Sequence, residues 1–366
     1  MRDLLGEAVS EKRVLVVCGA GGVGKTTTAA SLGLLAARLG RRVLVCTIDP
    51  SKRLATSLGL SALQGSPATL DLRKLSPRPK GTLAAMALET KRTFDTLVER
   101  YAKDAASRDR ILENRFYQHV SSALAGSHEY MAMEQLLELQ QDPRFDLVVL
   151  DTPPTRNALD FLEAPDRLLS FLDTSVLKVF LKPYFLGGRL TLKIATRTGA
   201  LALSLADRTL GLAFLRDLSE FFLAFEGMYD GFKERAGRVY ELLRGRTSAF
   251  VLVTAPQENA VEEALYFRRR LAEKRMPFVT FIVNRVRPPL RRRGLLGGRA
   301  RIGSELKEKL VLVARDHEQV ARRERSVVAR LRVDSQDPVR TLAERDGDIH
   351  DLRGLLDLSF DLEGRG

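Results

Sequence analysis

The chain has 366 residues, 45% of them hydrophobic and 29% charged, with 59 Lys and Arg against 46 Asp and Glu. That length supports a large core in one elaborated α/β domain or two smaller ones, and the composition reads as soluble and globular. No charge-free apolar run reaches the ~18 residues of a transmembrane helix, and the opening residues carry acids rather than a secretory signal, so the expectation is a cytoplasmic protein.

Cys18 and Cys46 are too few for a disulfide framework, form no Cys-x-x-Cys, and read as small buried hydrophobes at strand ends. The net charge of +13 calls for an acidic partner or surface without naming one.

The first strong element is Val14 to Cys18, an apolar run that breaks into Gly19, Gly21, Gly22 and Gly24 and resumes as a helix from Lys25. Gly19, Gly24, Lys25 and Thr26 satisfy the phosphate-loop pattern G-x-x-x-x-G-K-[ST]. Glycines let backbone N–H groups converge on one point, and the helix adds the positive end of its dipole, so the turn suits an anion. Lys25 is assigned to the β- and γ-phosphates and the Thr26 hydroxyl to Mg²⁺, while Gly19, Gly21, Gly22, Val23, Gly24 and Thr27 complete the nucleotide cradle. A glycine turn without a ligand is the competing reading, and the flanking strand and helix count against it.

The helix runs to about Leu39, Gly40 stops it, and a second apolar strand, Val43 to Ile48, ends in Asp49. In a parallel sheet the ligand crevice lies at the carboxyl ends of the strands. Asp49 therefore reads either as the acid that orients the attacking water in phosphoryl transfer or as the cap of a helix from Ser51, and both readings stand. Residues 61–82 read as a surface connection rich in Ser, Pro, Gly and basic residues. Helical spacing then governs Ala85 to Lys103, Phe116 to Leu124 and Tyr130 to Leu139. A third core strand, Phe145 to Leu150, closes on Asp151. An acid at the end of an apolar strand downstream of a phosphate loop is the Walker B arrangement for Mg²⁺, with an ordinary strand-end turn residue as the alternative. The strand Ala249 to Thr254, the helix Glu258 to Lys274 and the strand Phe278 to Val283 complete the alternating pattern of a doubly wound, mostly parallel sheet.

Gly19 to Thr27, Asp49 to Leu54 and Asp151 to Leu162, in that order, resemble the arsenite-pump ATPase family, which also includes the eukaryotic ATPase that targets tail-anchored membrane proteins. The likeness extends over most of the chain. It implies an α/β P-loop NTPase core with an inserted helical subdomain, ATP and Mg²⁺ as cofactors, and a nucleotide-gated dimer. Residue by residue it implies Lys25 as the phosphate lysine, Thr26 as the Mg²⁺ ligand, Asp49 as the switch I acid that activates water, and Asp151 as the switch II acid. Asn284 matches the family's adenine contact; as a residue type it is also an ordinary turn former. One P-loop ATPase domain is expected over 1–366, with helical insertions at 83–142 and 164–240.

Three features depart from the family. Ala20 replaces the signature lysine that crosses the dimer, so the missing cation is expected from Lys52, Arg53 or Arg156, or from a lysine-bearing paralogue in a heterodimer rather than a homodimer. The stretch after Asn284 carries no Cys-x-x-Cys, which argues against a zinc-clasped homodimer. Neither cysteine lies in the helical region, so no activation by arsenite is expected, because soft As(III) selects sulfur.

The apolar helical stretch from Ala164 to Tyr240 is read as an ordinary helical core or, more sharply, as a groove for a hydrophobic helix client. Residues 285–301 hold seven arginines and no acid, among prolines and glycines, and read as a surface loop. Such a loop is either solvated or in contact with an anionic membrane, nucleic acid or an acidic partner. No aromatics interleave with the arginines, which argues against stacking on single-stranded nucleic acid. Gly303 to Arg332 reads as a long charged helix, Leu331 to Asp334 as a strand, and Ile349 to Leu358 as a final helix. The reading is a Mg²⁺-dependent ATP-hydrolysing switch with a hydrophobic or membrane-linked client. The alternatives are a Par- or Min-like ATPase on DNA or membrane and a weakly hydrolysing nucleotide-binding regulator.

Overall fold

The computed structural model describes residues 3–48, 53–115, 117–118, 127–152, 163, 166, 217, 221, 228–290 and 303–364. Asp49, Lys52, residues 153–162 with Arg156, most of the residues expected as helices at 116–124 and 164–228, and the arginine-rich residues 291–302 lie outside the described residues. The chain divides into two units, one of Met1–Leu88, Leu139–Leu159 and Leu242–Gly366, the other of Glu89–Glu138 and Asp160–Glu241.

In chain order the described elements are α1 (Leu4–Glu11), β1 (Val14–Gly19), α2 (Lys25–Arg38), β2 (Arg42–Thr47), α3 (Arg53–Ser57), β3 (Ala68–Thr69), β4 (Thr82–Ala87), α4 (Thr90–Tyr101), α5 (Ala105–Glu113), α6 (Ser127–Leu139), β5 (Leu147–Asp151), α7 (Tyr229–Arg244), β6 (Ser248–Thr254), α8 (Glu258–Glu273), β7 (Phe278–Val286), α9 (Ser304–Ser335), β8 (Val339–Ala343) and α10 (Leu352–Glu363). The strands form one sheet in the order β3-β4-β2-β5-β1-β6-β7-β8, parallel throughout except where β3 runs against β4. The fold is thus an α/β sheet of the doubly wound kind. β1 lies between β5 and β6: on one side the chain runs out through β2, β3 and β4 and returns to β5 beside β1, and on the other it runs outward through β6, β7 and β8, so the loop leaving β1 sits between the two halves of the sheet.

The continuous apolar runs of β1, β2, β5 and β6 follow from burial on both faces of the sheet. Leu15, Val17, Val43, Val45, Leu147 and Val149 join one core with residues of α1, α2 and α10. Val16, Cys18, Leu44, Cys46 and Leu150 alternate with them and are buried on the opposite face. Each such side chain contributes about 1.5–3 kcal/mol when taken out of water. α10 is tied to α2 by Arg38, whose guanidinium lies 3.6 Å over the Phe360 ring and 2.9 Å from Glu363.

The second unit has its own core, in which Phe94 of α4 packs edge-on to Tyr117 at 5.6 Å and Tyr130 of α6 stacks with Phe232 of α7 at 6.3 Å. Inside it Arg235 of α7 and Glu134 of α6 form a buried ion pair at 2.5 Å, with the Tyr130 hydroxyl donating to the same carboxylate.

Four local expectations need correction. Residues 82–87, which helical spacing placed partly in an insertion beginning at 83, form strand β4; Leu83 to Met86 is a short apolar run buried in the sheet, and such runs do not separate strand from helix by pattern. Leu331 to Asp334 is the end of α9 rather than a strand, because Leu331 continues the buried stripe of Ala321 and Val328; the strand comes later, at Val339–Ala343. β7 does not stop at Val283 but continues through Asn284 to Val286, across a register shift against β8 with Arg285 at φ 59°. Residues 61–82 include β3 as well as surface turns. Helix α1 was not anticipated; Asp3 caps it by accepting from the Gly6 N–H at 3.1 Å.

Candidate functional site

The glycine turn after β1 has the backbone that its sequence demands. Gly19, Gly22 and Gly24 have φ of 149°, 78° and 93°. A Cβ at Gly19 would lie 2.0 Å from the Val253 carbonyl oxygen, and one at Gly24 would lie 2.3 Å from Nδ2 of Asn284, so neither position admits a side chain. α2 begins at Lys25 behind this turn, and the first-turn amides of a helix have no partner within it. Backbone and dipole therefore present donors to an anion in the adjoining cleft.

That cleft, about 1140 Å³, is lined by Gly22, Gly24, Lys25, Thr26 and Thr27 on one side and by Glu344 to His350 on another, with Arg53, Thr152 and Asn284 between. Gly21 and Val23 line a second cleft of about 760 Å³ on the other side of the loop, together with Ala20 and Glu263. Gly19 is the last residue of β1, at the base of the turn. Lys25 is 6% exposed, and its ammonium donates to the carbonyl of Ala20 at 2.7 Å, which holds it over the loop.

The parallel register brings the acid to the same edge. Asp151 is level with Val17 of β1 and with Thr47 of β2. The Thr26 hydroxyl donates to Asp151 Oδ2 at 2.8 Å, and the Thr47 hydroxyl donates to the same oxygen at 3.0 Å. Thr152 donates from its hydroxyl to the Val17 carbonyl at 2.9 Å and so fixes the strand end. Thr47 escaped the sequence reading, which took it as one more residue of an apolar strand. Only the cross-strand pairing shows that its hydroxyl faces the acid.

Asn284 reaches the loop as well, donating from Nδ2 to the Val23 carbonyl at 2.9 Å while its Oδ1 accepts from the Arg285 N–H at 3.0 Å. Alternation along β7 puts Asn284 on the same face as the buried Ile282, against the phosphate loop. Of the expected site residues, Gly22, Gly24, Lys25, Thr26, Thr27 and Asn284 line this cleft, Gly21 and Val23 line the second one, and Asp151 is hydrogen-bonded to Thr26, whereas Asp49 lies outside the described residues. Arg53 is the one proposed substitute cation among them, and it lines the cleft. The wall from Glu344 to His350 had no sequence signal, because it becomes part of the site only when β8 is laid beside β7.

The donor set suits a hard cation. Thr26 and Asp151 offer oxygens, and Mg²⁺ is usually held by one or two protein oxygens with the substrate's phosphates supplying others. Among the described residues no group of three or more His, Cys, Asp or Glu is placed to hold a metal ion. Both thiols near the site are buried. Burial pushes Cys18 up to about 12, against the lowering effects of a Thr152 hydrogen bond and the Lys25 charge, and burial followed by the charge of Asp151 does the same for Cys46.

The sequence profile of the anion-transporting ATPases matches residues 12–308, which takes in the phosphate loop, Asp151 and Asn284. ATPase GET3C of Arabidopsis thaliana is 27% identical over 296 residues, covering 77% of this chain and 68% of that protein. ATPase GET3B of the same plant is 26% identical over 295 residues, covering 76% and 66%. ATPase ARSA1 of Chlamydomonas reinhardtii is 26% identical over 306 residues, covering 77% of this chain but only 36% of that one. A profile match over most of the chain, carried by a sheet that delivers the matched motifs to one edge, decides the assignment: the chain belongs to the anion-transporting ATPase family and is an ATP-hydrolysing enzyme of that family.

Proposed function

We propose that this ATPase is a Mg²⁺-dependent switch in which ATP binding and hydrolysis gate a dimer and the helical unit, and that it acts on a hydrophobic or membrane-linked client rather than on arsenite. The observation that carries this reading is the pair of hydroxyls on one oxygen of Asp151. Thr26 belongs to the helix that follows the phosphate loop, and Thr47 stands two residues before Asp49, so the acid on the metal side is joined both to the phosphate cradle and to the segment expected to move.

In this reading hydrolysis forms a bond from a water oxygen to the γ-phosphorus as the bond to the β–γ bridging oxygen breaks, releasing ADP and phosphate. Lys25 and the loop amides bear on the β- and γ-phosphate oxygens, where charge accumulates. Thr26 and Asp151 would hold Mg²⁺, which when bound neutralises charge between those phosphates. Asp49 orients the water and accepts its proton, as the resemblance to the family implies. Arg53, on the cleft wall, or a lysine from a partner subunit takes the place of the cation lost at Ala20. Likeness to the tail-anchor targeting ATPases supports the hydrophobic client and the dimer.

The test is ATP turnover and particle mass, with and without nucleotide, on the wild type and Asp49→Asn. The expected result is a mass that doubles with ATP in both proteins and a turnover that falls about 100-fold or more in the variant, the scale of a lost general base. A wild type that binds ATP, stays monomeric and does not turn over would overturn the switch.

A further inference from the structure

The edge of the sheet opposite the nucleotide cleft is where the N-terminal ends of the parallel strands, and the turns leading into them, are gathered. Those turns are strongly basic. In sheet order, the turn into β4 carries Arg78 and Lys80, Arg41 precedes β2 and Arg42 begins it, Arg144 precedes β5, Lys12 and Arg13 precede β1, Arg244 and Arg246 precede β6, and Lys274 and Arg275 precede β7. Cations therefore stand under six adjacent strands. At the ~4.8 Å spacing of neighbouring strands the row is roughly 24 Å long.

The acids at this edge leave the row cationic. Asp146 and Asp142 are each held by a neighbouring arginine, Arg42 and Arg144, at 2.7 Å. Other cations are fixed by neutral carbonyls and keep their charge: Arg13 donates to Gln140, Arg41 to Val9 and Asp146, and Lys12 to Arg246. Burial draws the Arg41 guanidinium below its ordinary range, with Asp146 acting against it and the neighbouring Arg13 charge adding to it.

Helix dipoles account for part of this charge, since Lys12, Arg41, Arg244 and Lys274 lie at or just beyond helix C-termini. They do not account for Arg78 and Lys80, which lie in an irregular turn, or for Arg42 on a strand. The opposite edge mixes signs, with Glu344, Asp346 and Asp348 beside Lys25, Arg53 and Arg345.

We propose that this basic row is a docking surface for the phosphate backbone of duplex nucleic acid. A line of cations matches a line of phosphates, and arginine forks already oriented by carbonyls lose little freedom on meeting phosphate oxygens. Among the described residues the one large apolar side chain exposed beside the row is Leu39, at 46%, so the apolar insertion that strengthens attachment to a bilayer is nearly absent. Base contacts are not part of the proposal; the binding is independent of sequence and falls steeply with salt. It does not rest on the dimer switch.

The experiment follows a labelled duplex of about 24 base pairs by fluorescence anisotropy across a salt series, with the wild type and a quadruple variant, Arg78→Gln, Lys80→Gln, Arg246→Gln and Arg275→Gln. All four side chains are exposed and distant from the nucleotide cleft. The variant is expected to lose at least about tenfold in affinity, and its salt slope to shrink by about 3 to 4, the amount for four lost phosphate contacts. Its ATP turnover without DNA is expected to match the wild type, which shows the protein intact. A second variant, Arg291→Gln, Arg292→Gln and Arg293→Gln, is expected to bind as the wild type does. Loss in this second variant with none in the quadruple one overturns the assignment to the sheet edge. Wild-type binding to phosphatidylcholine vesicles containing phosphatidylserine, with no binding to duplex, assigns the row to lipid headgroups and overturns it as well.

Discussion

A carboxylate at the end of a parallel strand is common; one whose single oxygen takes two hydroxyl donors from two different elements is constrained. Thr26 and Thr47 both point at Asp151 Oδ2, and Asp151 is fully buried. A hydrogen bond to a charged group is worth about 1.5–3 kcal/mol. Thr47→Val keeps the shape and removes one donor, so the carboxylate becomes free to turn and a worse partner for Thr26 and the metal. The expected outcome is a roughly tenfold weaker Mg²⁺ dependence of binding a fluorescent ATP analogue, with Thr47→Ser close to the wild type. Unchanged Mg²⁺ dependence in the valine variant would reduce Thr47 to a packing residue.

The two thiols make a second prediction at this scale. With both raised to about 12, the neutral form dominates at pH 8 and thiolate amounts to about one part in ten thousand. An aromatic disulfide reagent is therefore expected to label neither cysteine in the native protein and both in denaturant, and micromolar arsenite to leave ATP turnover unchanged. Labelling of either thiol at native rates of surface cysteines would show that the sheet opens near the site.

Among the elements, the helical unit is held by more than apolar packing. Arg235 on α7 reaches Glu134 on α6 and donates to the Tyr101 hydroxyl on α4 at 3.1 Å, so three helices meet on one buried charge pair. Removing one partner leaves the other charge buried, which costs about 3–5 kcal/mol. Arg235→Ala is expected to raise hydrogen-exchange rates throughout α4 and α6 by that amount, whereas Arg235→Met with Glu134→Leu and Tyr130→Phe, which also removes the hydroxyl that donates to Glu134, stays within about 1 kcal/mol of the wild type. A single variant with exchange like the wild type would mean that aromatic packing alone holds these helices.

For the molecule as a whole, parallel pairing is the organising constraint. Because every strand from β4 to β8 runs the same way, the strand ends that carry the phosphate loop, Thr47 and Asp151 collect at one edge, and the basic turns that lead into β4, β2, β5, β1, β6 and β7 collect at the other. The chemistry at each edge is the sum of residues far apart in sequence. This separation also means that substitutions along the basic row leave the nucleotide cleft intact, which is what makes the duplex-binding test independent of turnover.

The chain itself determined the phosphate loop, the buried strands on either side of it and the acid at the end of β5, because each is a local matter: glycines where the backbone takes positive φ, unbroken apolar runs where both faces are covered, a carboxylate where a strand stops. The sequence was also enough to place Lys25 and Thr26, one helical turn from the glycines that position them. Only the tertiary structure decided that Thr47 is a partner of Asp151, that Leu83 to Met86 pairs in the sheet rather than starting a helix, that Asn284 lies within a bulged strand, and that Glu344 to His350 walls the cleft. Each of these depends on register between strands distant in sequence, and a one-residue slip of register would turn the same side chains to the other face.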